Sequence, residues 1–474
     1  MRTLTAILFL STVVAFAQTK TETGDIQRVQ NVALHSDYAY QFASHLTDNI
    51  GPRISGSPQY SHAAEWVAEE FKRLGLTVST EKAMVPHWVR GEEKGELIQF
   101  PGMTPGTTQK LVLTALGPSV ATPAEGISAD VVVASDFDEL SALGREKVKG
   151  KIVVFTAKFD QRLAAAGESR EAYGQAVEYR SKAPVEAGKL GAIAVLVRSV
   201  GNAEYRLPHT GGTNYQKDTP KIPAGALASE DADLISRLAR QGTVRMHLTL
   251  TPQTFPDVEG FSVIGDLKGS EHPEQIVVLS GHLDSWDLGT GAIDDAAGLA
   301  QAVDAVRIIK DLGLKPKRTL RVIAWASEEY GLQGGRAYVK AHQSELANYQ
   351  AALESDLGAE HPIGVYFDGD PSIEKIMEPA MKVLQAQGAS IIRLHDAGSD
   401  IIPMGVFGVP TFDPIQDARS YFNYHHTAAD TLDKIEPQAL RENTAVMAVV
   451  GYFLANLDQK LPQKAKPLPE WMKE

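Results

Sequence analysis

Residues 275–329 read QIVVLSGHLDSWDLGTGAIDDAAGLAQAVDAVRIIKDLGLKPKRTLRVIAWASEE. The stretch opens with the apolar run Gln275 to Ser280, short enough to be a strand. A glycine-rich turn follows, then Ala296 to Asp311, where Ala302, Val306 and Ile309 recur at the period of an amphipathic helix. Thr319 to Ala326 is strand-like again, and the alternation continues with a helix over Gly335 to His342 and a strand at Ala351 to Leu353. Strand, helix, strand, helix predicts an α/β fold, a mostly parallel sheet covered by helices on both faces. In such sheets ligands bind beyond the carboxyl ends of the strands.

Upstream, Asp37 to Leu76 is predicted helical, with Trp66, Val67, Phe71 and Leu74 on one face. The loop Gly51 to Pro58 reads as a connector between two helices. Between Val89 and Pro256 short apolar runs are divided by Gly and Pro: Leu111 to Leu116, Val131 to Ala134, Lys151 to Phe155, Ala192 to Val197 and Val244 to Leu250. These are strand candidates, joined by helices at Ala183 to Lys189 and Glu230 to Arg240. Titratable clusters are few there, which predicts an inserted, β-rich domain without catalytic residues. The expected organisation is a leader over 1–17, the N-terminal part of the catalytic domain over 18–88, the insert over 89–256, the catalytic domain over 257–460 and a tail over 461–474.

The leader is an export signal: Arg2, an apolar run from Leu4 to Phe16, and Ala15-Phe16-Ala17 as a small-residue cleavage pattern, with cleavage expected after Ala17. That run is too short for a stop-transfer helix, so the mature chain is expected in a periplasm or secreted, away from the membrane. The absence of cysteine excludes disulfides, thiolate metal sites and a cysteine nucleophile. The length of 474 residues and 43% hydrophobic content allow a sizeable conventional core. A net charge of −13 without a basic tract argues against nucleic-acid or anionic-membrane partners.

The chemistry-bearing residues gather at predicted strand ends. His282 leaves the first strand, and Asp284, two residues on along an extended chain, is placed to orient its imidazole. Asp294 and Asp295 start the helix; for Asp295 capping and the macrodipole stand level with a role in the site, whereas the glycines before Asp294 suit the close backbone approach of a buried metal centre. Glu328 and Glu329 end the next strand, Asp356 follows Ala351 to Ser355, and His425 and His426 come late. Each is unremarkable alone. Gathered in one cleft, carboxylates about 4 Å apart would repel by about 4 kcal/mol at an effective dielectric of roughly 20. Two zinc ions balance four carboxylates, and imidazole with carboxylate is the donor mixture zinc accepts without thiolates. No Gly-x-Ser-x-Gly elbow, phosphate loop, dinucleotide fingerprint or helical His-Glu-x-x-His occurs.

GHLDSWDLG (281–289), GAIDDAAG (291–298), GLKPKRTLRVIAWASEE (313–329), ESDLG (354–358) and HHTAADT (425–431) together resemble the di-zinc aminopeptidase family, and within it the carboxypeptidase Q-like branch, over nearly the whole mature chain. The resemblance implies a zinc-exopeptidase fold with Asp294 bridging two zinc ions, His282 and Asp356 completing one, Glu329 and His426 the other. It makes Glu328 the general base and gives the oxyanion a donor at His425 or Tyr424. Many relatives have Asp-Asn where this chain has Asp294-Asp295. GKIVVF (150–155) and IPAGALASEDADLISRLA (222–239) resemble a protease-associated domain that roofs the cleft. A homodimer cleaving dipeptides or short peptides with a free N-terminus is implied, with Ser399 and Asp400 as candidate pocket residues. Two rival readings are a glutaminyl cyclase, which needs one catalytic zinc, and a non-catalytic binding ectodomain, whose site would have decayed.

Overall fold

The computed structural model describes residues 24–469 and 472; the expected leader over 1–17 lies outside them. Two eight-stranded sheets organise the chain. The first runs, in spatial order, Thr77–Val89, Gln253–Leu267, Arg318–Trp325, His272–His282, Tyr349–Glu354, Thr411–Gln416, Pro362–Asp368 and Ile391–Leu394. Its middle, from Arg318–Trp325 to Thr411–Gln416, is parallel, while antiparallel pairings join the outer strands to it. The sheet is therefore mixed, with the expected parallel centre.

Strand periodicity explains why this sheet is buried on both faces. Val277 and Leu279 enter one core with Leu320, Val322 and Ala324. Ile276 and Val278, one residue out of step, enter the opposite core with Ile323 and Trp325. Each fully buried aliphatic side chain contributes about 1.5–3 kcal/mol relative to exposure. Helices Ala297–Asp311 and Pro437–Asn456 cover the first face, and Gln333–His342 covers the second. The connection from the His282 strand runs to one neighbour, Arg318–Trp325, and the next crosses back to the other, Tyr349–Glu354. That reversal opens a crevice at the strand ends.

Two glycines let the crevice form. A Cβ at Gly281 would lie 2.4 Å from Leu299 N, and one at Gly298 would lie 1.9 Å from Ser355 O. Strand end, helix start and the Ser355 loop therefore touch backbone to backbone.

The strands of the second sheet all fall between Glu93 and Leu250. Ile152 and Val154 face one core, Val153 and Phe155 the other. The helix expected at Ala183 to Lys189 extends over Ser169–Lys189. Its leading turns carry no apolar stripe, and Pro184 interrupts the helical pattern, so local periodicity shows only its last part. Trp286, from the loop after His282, packs into this sheet's core beside Ile54 and Trp88, pinning the two sheets together. Among the described residues no helix is long and apolar enough to cross a membrane.

Candidate metal centre

The strand His272–His282 ends on a buried imidazole. His282 Nδ1 donates to the main-chain oxygen of Asp284 at 3.0 Å, while the Asp284 carboxylate stands 3.6 Å away. Asp284 thus orients the ring mainly through its carbonyl, and its carboxylate accepts from Ser55 Oγ at 2.8 Å and from the Glu328 amide at 3.0 Å. With Nδ1 occupied, Nε2 is the metal-facing nitrogen.

Two donor sets meet at Asp294. His282 Nε2 lies 3.0 Å from Asp294 Oδ1 and 3.5 Å from Asp356 Oδ1. His426 Nε2 lies 3.1 Å from Asp294 Oδ2 and 3.0 Å from Glu329 Oε2. Zinc binds nitrogen and oxygen at roughly 2.0–2.2 Å in tetrahedra, which sets neighbouring ligands roughly 3.3–3.6 Å apart. The observed spacings are close to those edges, and each oxygen of Asp294 serves one set. Glu329 Oε1 is buried without a hydrogen-bond partner. The residues present therefore fit a pair of zinc ions.

Asp294 and Asp295 occupy a distorted turn, Ala292–Ala296, with φ of −138° and −135°. The peptide bond between them is cis. Asp295 spends its oxygens on the amides of His282 and Gly298, at 2.9 and 3.0 Å, tying strand end to helix start. Of the two readings open for it, Asp295 thus takes the one that holds the start of the helix. His426 sits in the left-handed region at φ 58°, a conformation that few residues other than glycine adopt.

Burial opposes charge on Asp294, yet His425, His282 and His426 together hold its carboxyl well below the ordinary range. Burial pushes Glu329 up to about 7 against the pull of His426. It holds Glu328 well above its usual value too, with His282 opposing and Asp356, Glu329 and Asp400 adding. Such crowding of acids is what divalent cations relieve.

A cavity of about 390 Å³ opens over the donors, lined by Asp294, Glu328, Glu329, Asp356, His425 and His426. Ser399 also lines it and donates to Asp356 Oδ2 at 2.6 Å. Asp400 is fully buried and outside this lining, so it is not a pocket residue; the chain turns there and carries the side chain inward. His425 faces the cavity, whereas Tyr424 does not line it.

Two expectations are corrected. The loop Gly51 to Pro58 is more than a connector: buried Arg53 donates to the carbonyls of Leu283, Thr290 and Gly291 at 2.9, 2.7 and 2.9 Å, bracing the loop between His282 and Asp294. The segment between the sheets' strands also reaches the site. Arg170, Tyr173 and Arg180, from the helix Ser169–Lys189, line the cavity, and His209 lies 3.1 Å from His425. These residues are dispersed along the sequence, and no local cluster marked them. Asp430 was legible only as part of its motif; it accepts the amides of Ala292 and Ile293, each at 2.8 Å.

Fold and donor set together define a two-metal hydrolase with its centre at the carboxyl ends of a parallel sheet. Residues 262–451 match peptidase family M28. Carboxypeptidase Q of Bos taurus is 38% identical, over 90% of this chain and 87% of that protein. Carboxypeptidase Q of Homo sapiens is 37% identical, over 93% and 91%. Among solved structures, a Peptidase M28 precursor from Shewanella amazonensis SB2B superposes with a TM-score of 0.88 at 36% identity, over 95% of this chain and 99% of that one. BSAP, a zinc aminopeptidase from Bacillus subtilis, shares the fold at a TM-score of 0.62 and 21% identity, over 87% and 94%. The chain belongs to peptidase family M28, on its carboxypeptidase Q-like branch, and is a zinc-dependent metallopeptidase.

Proposed function

We propose that this chain is an exported exopeptidase that cleaves dipeptides or short peptides with a free N-terminus, using Glu328 as general base. The convergence of His282, Asp356, Glu329 and His426 on the two oxygens of Asp294, in the wall of a cavity of about 390 Å³, carries this reading. Zinc ions held there would supply a Lewis acid for the scissile carbonyl and lower the pKa of water toward about 7.

The remaining steps fall to side chains. Glu328 lines the cavity, and its amide is held by Asp284, which aims the carboxylate at the reacting region. It takes the proton of the attacking water and returns it to the leaving amine, work worth roughly 10²- to 10⁴-fold. Ser399 steadies Asp356 through its hydroxyl. Arg170 donates to the buried carboxylate of Asp413 at 2.7 Å and also lines the cavity, where a guanidinium could seat a peptide carboxylate. That supports short substrates with a free carboxyl end.

The segment between Glu93 and Leu250 would act as a protease-associated roof, consistent with the cavity residues that its helix Ser169–Lys189 contributes. Export through cleavage after Ala17 and assembly as a homodimer complete the reading; the N-terminal mass of the mature protein and its sedimentation test them.

Glu328→Gln is the decisive variant. Turnover of free dipeptides should fall at least 100-fold while zinc content stays normal. Parallel loss of zinc would make Glu328 a ligand. Hydrolysis of amino-blocked dipeptides as fast as free ones would defeat the substrate class, and a single zinc per chain would favour cyclase chemistry.

A further inference from the structure

Three glycines line the cavity over the metal donors: Gly174, Gly212 and Gly331. Two of them have a reason in the backbone or its neighbours. Gly331 takes φ of 97°, a left-handed conformation that a side chain would strain. Gly212 forms a bridge with Gly117, and a Cβ on it would already rest 3.5 Å from Glu329 O. Gly174 has neither reason. It lies in the interior of the helix Ser169–Lys189, its φ is not left-handed, and a Cβ there would meet nothing within 4 Å. Glycine in a helix interior costs stability relative to alanine, because its backbone loses more freedom on folding. Neither strain nor crowding asks for that cost here; what a side chain would take away is room.

Arg170, Tyr173 and Gly174 stand at the i, i+3, i+4 spacing of one helix face, and that face lines the cavity. The neighbours of Gly174 are tethered. Tyr173 stacks on Phe422 with ring centroids 4.4 Å apart, and its hydroxyl accepts from Arg180 Nη1 at 2.7 Å. Arg170 is tied to Asp413 at 2.7 Å, and its guanidinium carbon lies 5.7 Å from the ring centroid of Tyr366. With those side chains held, the gap over Gly174 is a recess in the wall, open to solvent at the cavity rim.

Its position indicates what fills it. Residues four apart on a helix stand about 5–6 Å apart at Cβ, and helical side chains lean toward the N-terminus. Anything added at 174 would therefore extend over the turn that carries Arg170. A peptide whose carboxylate lies against Arg170 would bring the side chain of that same terminal residue beside Gly174. Leu357, Tyr173, Tyr421 and Phe422 supply the apolar part of the lining, which suits an apolar side chain.

We propose that Gly174 is a specificity-determining residue, whose missing side chain leaves space for a large apolar side chain on the carboxyl-terminal residue of the substrate. The inference rests on the peptidase reading above and on Arg170 as the seat of the carboxylate. The helix that roofs the cleft would thus set which dipeptides fit, while the metal centre beneath it is untouched.

The test fills the recess. Gly174→Ala and Gly174→Leu are compared with wild type on unblocked alanyl-alanine, alanyl-phenylalanine and phenylalanyl-alanine. Both variants introduce a better helix former than glycine, so Tm should not fall, and zinc content should match wild type. A single methylene in an apolar pocket is worth roughly 10- to 200-fold, so the kcat/KM ratio of alanyl-phenylalanine to alanyl-alanine should drop about 10- to 100-fold in Gly174→Leu and by less in Gly174→Ala. The ratio of phenylalanyl-alanine to alanyl-alanine should stay within about twofold. An unchanged ratio for alanyl-phenylalanine overturns the proposal. So does an equal or larger drop for phenylalanyl-alanine, which would take the recess away from the carboxyl-terminal residue, and so does an equal fall on all three, which would make the helix a gate for every substrate. If Gly174→Leu does not fold, the ratios of Gly174→Ala decide. A wild type that cleaves none of the three sinks the peptidase reading and this proposal with it; a wild type that cleaves them, with variants that keep its ratios, sinks this proposal alone.

Discussion

Arg53 shows how one side chain can hold a metal loop together. Besides the three carbonyls of the loop after His282, its guanidinium reaches Gly51 O at 3.1 Å. Burial pulls its pKa down to about 10, with Asp430, Asp284, Asp295 and Asp294 resisting, so it remains charged at neutral pH. Arg53→Met would strand several buried carbonyls, at about 1–3 kcal/mol each. Asp294 would lose the brace behind it, and zinc affinity should fall about 10- to 100-fold, the usual effect of losing support behind a ligand. Competition against a chelator measures this; unchanged affinity would mean that the loop holds its shape unaided. Arg53→Lys, which cannot reach several carbonyls in one plane, should recover little.

At the scale of elements, the helix Ser169–Lys189 bridges the two sheets. Its Arg170 pairs with Asp413, whose side chain is buried in the strand Thr411–Gln416. Burial pushes Asp413 up to about 6, and Arg170 opposes that rise. A folded-state pKa raised above the unfolded value of 3.8 means that ionising Asp413 costs stability as pH climbs through that window. Removing Arg170 raises the pKa further and enlarges the cost. Arg170→Met should therefore destabilise by about 2 kcal/mol at pH 7 and by little at pH 4, where Asp413 is protonated in the folded protein. Denaturant melts at both pH values check this, and an equal loss at each would show that packing, rather than the ion pair, is what Arg170 supplies. The same variant should raise KM for free dipeptides if Arg170 seats their carboxylate.

For the molecule as a whole, the centre is a set of acids drawn from distant parts of one sheet, and cations are what make that arrangement cheap. Exhaustive chelation should abolish hydrolysis and lower Tm, with both restored by added zinc. Free zinc at about 1,000 times Kd corresponds to about 4 kcal/mol of stabilisation. An identical Tm with and without metal would mean that the carboxylates are balanced by the protein alone, and full activity after chelation would end the metallopeptidase reading. Burial of Trp286 in the core beneath the second sheet adds a mechanical link, because the loop that follows His282 also anchors the roof.

Local pattern carried much of this. The two-residue alternation in Ile276 to Leu279 and Leu320 to Ala324 specifies strands buried on both faces, and the helical spacing through Val306 and Ile309 specifies their cover. The identities of His282, Asp294, Glu328, Glu329, Asp356 and His426 were legible as acids and imidazoles following apolar strands or opening helices. Contacts made across more than a hundred residues were not. Arg53 in an apparently ordinary loop, Arg170 on a helix without an apolar stripe and His209 between strands acquire meaning only when the sheets close on each other. Periodicity records which face of an element is dry, since burial acts on every turn or alternate residue. It holds no record of which distant side chain will complete a hydrogen bond, because that depends on where the chain returns in space.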